Sequence, residues 1–157
     1  MREMEKNVAL EKDLRSNVEG FTNRRNKSIK RISSNYNNEN LTVMKNPDDS
    51  YRIKINENCL SVYGDSDYKE INCNDSSTSQ KFYEYKVMND ADSKVIMGKL
   101  PLPTTKSNYP YSVFKSGVTN NCLQNNDEGI SIEPCNPNSE NQKWAPFTDP
   151  YKCLDSR

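Results

Sequence analysis

Five cysteines are the residues of this 157-residue chain best placed to do chemistry, and four of them form two pairs of similar span. Cys59 and Cys73 enclose thirteen residues, and Cys122 and Cys135 enclose twelve. Thiols so arranged either ligate a metal or close disulfides. The chain has no CxxC spacing and no histidine, so the matched pairs favour disulfides over a zinc site. A closed loop of about fifteen residues contributes on the order of 3 kcal/mol by restricting the unfolded chain. Cys153 is left over, and three fates stay open: a buried thiol, a bond to another chain, or a bond to a cysteine beyond Arg157.

The absence of histidine also removes the commonest general base and the usual triad member. The paired carboxylates Asp48 with Asp49 and Asp65 with Asp67 sit among turn formers, where Asp is expected for backbone reasons. No acid and base pair stands out, so the chain is expected to be noncatalytic, without cofactor or metal. Lys plus Arg and Asp plus Glu both number 22, which leaves no net field to recruit nucleic acid or an anionic membrane. No apolar stretch approaches the roughly 20 residues that span a bilayer, and the charged N-terminus is unlike a signal peptide.

Around the cysteines lies a repeat. Residues 58–82 read NCLSVYGDSDYKEINCNDSSTSQKF and residues 121–144 read NCLQNNDEGISIEPCNPNSENQKW. Asn-Cys-Leu opens each unit, an Ile-containing strand leads to the second Cys, and Gln-Lys-aromatic closes it. The Gln follows that Cys by seven positions in both copies, as Gln80 and Gln142. Lys152, Cys153, Leu154 and Asp155 read as the start of a third unit.

The elements that must hold these residues are short. From Leu41 onward, apolar runs of four to seven residues alternate with Asn, Asp, Gly and Pro, the pattern of an all-β region. Tyr51, Ile53 and Ile55 alternate onto one strand face. Residues 98–110 carry three prolines and read as a surface loop. Ahead of Leu41 the character differs. Leu10, Leu14, Val18 and Phe21 form one stripe of an amphipathic helix ended near Gly20 or Asn23, for packing on this domain or a partner. Residues 23–40 hold five basic residues followed by a Ser/Asn tract, and read as a solvated linker. The expected organisation is therefore an N-terminal helix and polar, basic linker over residues 1–40, then a β domain over 41–157. The hydrophobic fraction of 32%, against about 45–50% for globular domains, agrees with part of the chain lying outside a core.

The repeat resembles the ricin B-type lectin family, whose units run Cys-Leu-Asp, a second Cys and Gln-x-Trp, stacked three times into a β-trefoil. The resemblance covers residues 58–82 and 121–155. It implies that Gln80, Phe82, Gln142 and Trp144 pack the hairpin core and do not contact sugar. It also implies a sugar site made of the Asp after Cys-Leu, an aromatic platform and the Asn before the Gln. In the second unit Asn141 matches and Gln124 replaces the Asp, with Asp127 close by. In the first unit Ser61 and Ser79 replace both polar positions, and in the third Asp155 matches without the rest of a unit. With only two full units, the resemblance implies that either a degenerate unit around residues 41–57 or a second polypeptide completes the domain at its C-terminal side.

The expected function is noncatalytic glycan binding through Gln124, Asp127, Asn141 and Asp155, with a glycan or glycoprotein as partner. The alternative is an assembly subunit of a surface or virion complex, in which a degenerate trefoil meets a protein partner. Disulfides place the chain at an extracellular, luminal or surface location. The sequons at Asn26, Asn40 and Asn74 become usable on a secretory route, though so Asn-rich a chain generates them by chance. The terminal Arg157 fits either trypsin-like processing or a chain that ends there.

Overall fold

A computed structural model describes residues 26–32, 41–103, 109–126 and 129–146. Ten strands run through them: β1 Asn26–Arg31, β2 Leu41–Lys45, β3 Tyr51–Ile55, β4 Asn58–Gly64, β5 Asp67–Ile71, β6 Phe82–Val87, β7 Tyr111–Ser116, β8 Cys122–Asn126, β9 Gly129–Glu133 and β10 Trp144–Pro146. A helix, α1 Asp90–Met97, joins β6 to β7. The expected amphipathic helix over residues 1–22 lies outside the described residues.

Six strands close into a barrel. In antiparallel pairs, β1 meets β2, β2 meets β3, β3 meets β6, β6 meets β7, β7 meets β10, and β10 returns to β1. Closure leaves these six strands without an open edge. Alternate side chains fill the interior, among them Ile29, Val43, Ile53, Phe82, Phe114 and Trp144 in one buried cluster.

The barrel carries an internal repeat of strand, hairpin, one-turn 3-10 helix, strand. In the first unit, β3 and β6 are barrel strands, the β4–β5 hairpin stands between them, and Thr78–Gln80 forms the 3-10 turn. In the second, β7 and β10 flank the β8–β9 hairpin and Glu140–Gln142 forms the turn. The remaining two barrel places belong to β1 and β2, which pair directly. Nine residues join β1 to β2, where 26 and 27 separate the outer strands of the other units. That length cannot hold a comparable hairpin and 3-10 turn.

Two expectations are corrected here. The linker reading of residues 23–40 fails over Asn26–Arg31, which is a barrel strand, so a domain boundary at residue 41 cuts through the barrel. The basic residues hid this strand: Lys27 and Arg31 alternate inward with Ile29, and Arg31 is only 7% exposed, because long cationic side chains bury their aliphatic stems. The barrel's last two places are filled by β1 and β2, and not by a unit around residues 41–57.

A further difference is α1, whose Asn- and Asp-rich start reads as turn formers. Asn89 caps it by accepting from the Asp92 N–H at 3.0 Å, Asp92 accepts from Met88 N–H at 2.9 Å, and Gly98 ends it at φ 77°. The helix covers the outer faces of β6 and β7, burying Tyr85, Val87, Tyr111 and Val113 with its own Ile96 and Met97. Residues 98–103 then run as surface chain with Leu100 and Leu102 more than half exposed.

Candidate functional site

Both cysteine pairs close as disulfides, Cys59–Cys73 and Cys122–Cys135, with Cα atoms 4.8 and 5.0 Å apart. Each ties the start of a hairpin to the chain leaving it. Cys153 lies outside the described residues.

The two repeated glutamines act alike. Gln80 Oε1 accepts from Asn74 N–H at 2.8 Å while its Nε2 donates to Asn72 C=O at 2.8 Å, so one carboxamide clamps the backbone on both sides of Cys73. Gln142 Oε1 accepts from Asn136 N–H at 2.8 Å and its Nε2 donates to Pro134 C=O at 3.0 Å, on both sides of Cys135. Asn74 and Asn136 each accept from the N–H two residues on, at 2.9 Å, closing matching Asx turns. Both glutamines are buried, where an amide must find partners for its oxygen and nitrogen. The Cys-to-Gln spacing of seven is the length of this clamp. Trp144 is fully buried and its indole N–H donates to Leu123 C=O at 3.2 Å. Phe82 occupies the matching place, fully buried, without a donor.

Gln142 also reaches the surface polar groups of its unit. Its Nε2 donates to Gln124 Oε1 at 2.9 Å, Gln124 Nε2 donates to Asn126 Oδ1 at 2.8 Å, and Asn141 Nδ2 donates to the same oxygen at 3.3 Å. Arg31 arrives from β1 and donates through Nη1 to Asn141 Oδ1 at 2.8 Å and to Asn125 C=O at 3.0 Å. Gln124, Asn126 and Asn141 are each partly exposed. They form a hydrogen-bonded polar cluster, called the cup below, whose orientation is fixed by internal bonds. The Asn126 amino group donates to nothing among the described residues, and Gln124 and Asn141 each retain an N–H, so the cup offers donors to an incoming oxygen.

Of the residues expected at a sugar site, Gln124 and Asn141 thus come together through Asn126, and Asp127 and Asp155 lie outside the described residues. In the first unit the equivalent positions are closed. Ser61 is fully buried, and Ser79 is bonded to Ser77 at 2.8 Å. Sequence reasoning missed Asn126 and Arg31. Asn126 was detectable, because strand alternation puts it on the face of Gln124, whereas Arg31 is 110 positions from Asn141 and no local pattern pairs them. The sequence between Cys122 and Gln142 holds no aromatic residue, so the unit supplies hydrogen bonds without a stacking platform. An exposed ring, Tyr63 at 43%, stands on the other hairpin with Lys69 Nζ 5.5 Å from its centroid.

No family model and no curated protein matches the chain. Among solved structures, one similar to it is that of SeviL bound to asialo-GM1 saccharide, 11% identical, covering 78% of this chain and 96% of that one at a TM-score of 0.48. Another is the Haemophilus ducreyi cytolethal distending toxin, 15% identical, covering 71% of this chain at a TM-score of 0.41. This chain spans 63% of that toxin chain, less than two thirds. At these TM-scores the likeness assigns neither family nor ligand.

Proposed function

We propose that this chain is a ricin B-like β-trefoil that binds glycans without catalysis, at the cup formed by Gln124, Asn126, Asn141 and Arg31. The observation that carries the reading is the convergence of three side-chain amides and a guanidinium beside the β8–β9 hairpin, aligned by bonds that leave each amide an N–H without an acceptor among the described residues. Neutral sugars present hydroxyl and acetamido oxygens that such donors satisfy. Supporting the trefoil assignment are the closed barrel, the two disulfide-tied hairpins and the repeated Gln clamp. Two disulfides suit an oxidising, extracellular or luminal setting. Without a stacking ring, a few net hydrogen bonds give an affinity on the order of 1 mM per site, about 4 kcal/mol.

A neutral-glycan array read with the oxidised protein tests this. Binding that is lost in Asn141→Ala and kept in Ser79→Ala supports the site, and an array with no signal at millimolar monosaccharide or multivalent display refutes it.

One observation favours a second reading, an assembly role. The β1–β2 place in the barrel carries only nine connecting residues where the other units carry a hairpin and a 3-10 turn. A partner protein would then complete that end, and the isolated chain would bind it in place of sugar. A pull-down giving a stoichiometric complex, together with a blank array, would favour it.

A further inference from the structure

The two units differ in what covers the barrel beside the disulfide. Tyr51 pairs with Phe82 as Ser112 pairs with Trp144, so Arg52 in the first unit stands where Val113 stands in the second. Val113 is fully buried beneath Ile96 and Met97 of α1. The helix comes from the long connection between β6 and β7. The corresponding connection between β2 and β3 is a five-residue turn, too short to send a cover, and the slot beside Cys73 stays open. Its volume is about 600 Å³, and Arg52, Asn72, Asn74, Asp75, Ser77 and Gln80 line it.

The open slot is polar, unlike its filled counterpart, and its cation is held in place. Arg52 Nε donates to Asn46 Oδ1 at 2.6 Å, and Asn46, 3% exposed, is fixed by donating to Ser50 Oγ at 2.9 Å. Among the described residues, the terminal amino groups of Arg52 meet no acceptor and no carboxylate pairs with them. The nearby Lys81 is already paired with Asp48 at 2.6 Å, so it neither competes for an anion nor supplies a second cation. A guanidinium anchored through Nε presents both terminal nitrogens to one planar anion. Beside it, the exposed Asn74 and Asn72 offer amides, and Asp75, touched among the described residues by Ser76 Oγ alone at 3.4 Å, offers an acceptor for hydroxyls.

The geometry points to a second binding site here, for the carboxylate of a sugar acid. Arg52 takes the carboxylate, Asn72 and Asn74 bond ring or side-chain oxygens, and Asp75 accepts from hydroxyls. The site does not include Ser61 or Ser79 and does not depend on the Gln124–Asn141 cup. Two sources share this chemistry, a sialic acid and a uronic acid.

The test is an NMR titration of the oxidised, isotope-labelled full chain with N-acetylneuraminic acid, glucuronic acid and galactose in parallel. At least one acid is expected to shift the amides of residues 72–77 and the Arg52 Nε–H, and the acid with the tighter curve identifies the source. Arg52→Gln is expected to weaken that binding at least tenfold and the exposed Asp75→Ala several-fold, with the exposed Val118→Ala unchanged. Should Arg52→Gln lose its spectral dispersion, Asp75→Ala alone decides. Equal shifts with galactose, no shifts with either acid, or unchanged affinity in a folded Arg52→Gln would overturn the proposal. Failure of the cup registers separately, as absent shifts at Gln124, Asn126 and Asn141.

Discussion

Replacing the clamp glutamines by leucine removes the carboxamide while keeping volume. In Gln80→Leu, Asn74 N–H and Asn72 C=O lose their partner. A buried backbone group left unsatisfied costs about 1–3 kcal/mol. These bonds are partly buried, so the lower half of that range applies to each, and the sum is about 2–4 kcal/mol. Gln142→Leu strands Asn136 N–H and Pro134 C=O in the same way and also frees Gln124 Oε1, so it costs roughly 1 kcal/mol more. Urea unfolding followed by the fluorescence of Trp144, the sole tryptophan, reads both changes. With a slope of about 2 kcal/mol/M, the middle of the usual range, the midpoint of Gln80→Leu falls by about 1–2 M. A fall below about 0.3 M in both variants would refute the clamp as a structural device and return the glutamines to the surface chemistry of the hairpins.

Other predictions follow from the same contacts. Trp144→Phe, which makes the second unit resemble the first, deprives Leu123 C=O of its donor and costs about 1–3 kcal/mol in the same assay. Reducing both disulfides lowers stability by about 3 kcal/mol per loop at most, read as a fall in the urea midpoint. Burial raises the Asp48 carboxyl, but hydrogen bonds from Lys81 and Ser50 outweigh it and lower its pKa to about 2. The folded value lies below the ordinary 3.8, so this stabilisation is complete above that pH and is lost as pH falls toward 2. Because the pair is largely exposed, the effect is small and fades in salt, and Asp48→Asn flattens that part of the acid-unfolding curve.

The regular parts of this architecture were legible because they repeat. Two cysteine pairs at matched spacing, each followed seven residues later by Gln, marked the hairpins and disulfides, whereas the backbone clamp that each Gln makes was not read from them. Tyr51 and Ile53 showed β3 by simple alternation, and both are buried. The first strand was illegible for a physical reason: its inward positions are Lys27, Ile29 and Arg31, so one apolar residue carried the whole hydrophobic signal. The helix at Asp90–Met97 had its cap and its Gly stop in view, but its weak apolar face, Ile96 and Met97, is defined by the barrel it covers. The cup was half legible. Gln124 and Asn141 stand in repeat positions, while Arg31 comes from a strand distant in sequence and the pairing exists only once the barrel closes.

Glycan recognition at the Arg31–Gln124–Asn126–Asn141 cup is tested most directly by following the side-chain amide resonances of the oxidised protein during titration with neutral galactosides. Saturable shifts confined to Gln124, Asn126 and Asn141, at millimolar concentrations and abolished by Asn141→Ala, are expected. Unmoved side-chain amides at saturating sugar, or shifts that persist in Asn141→Ala, would contradict it.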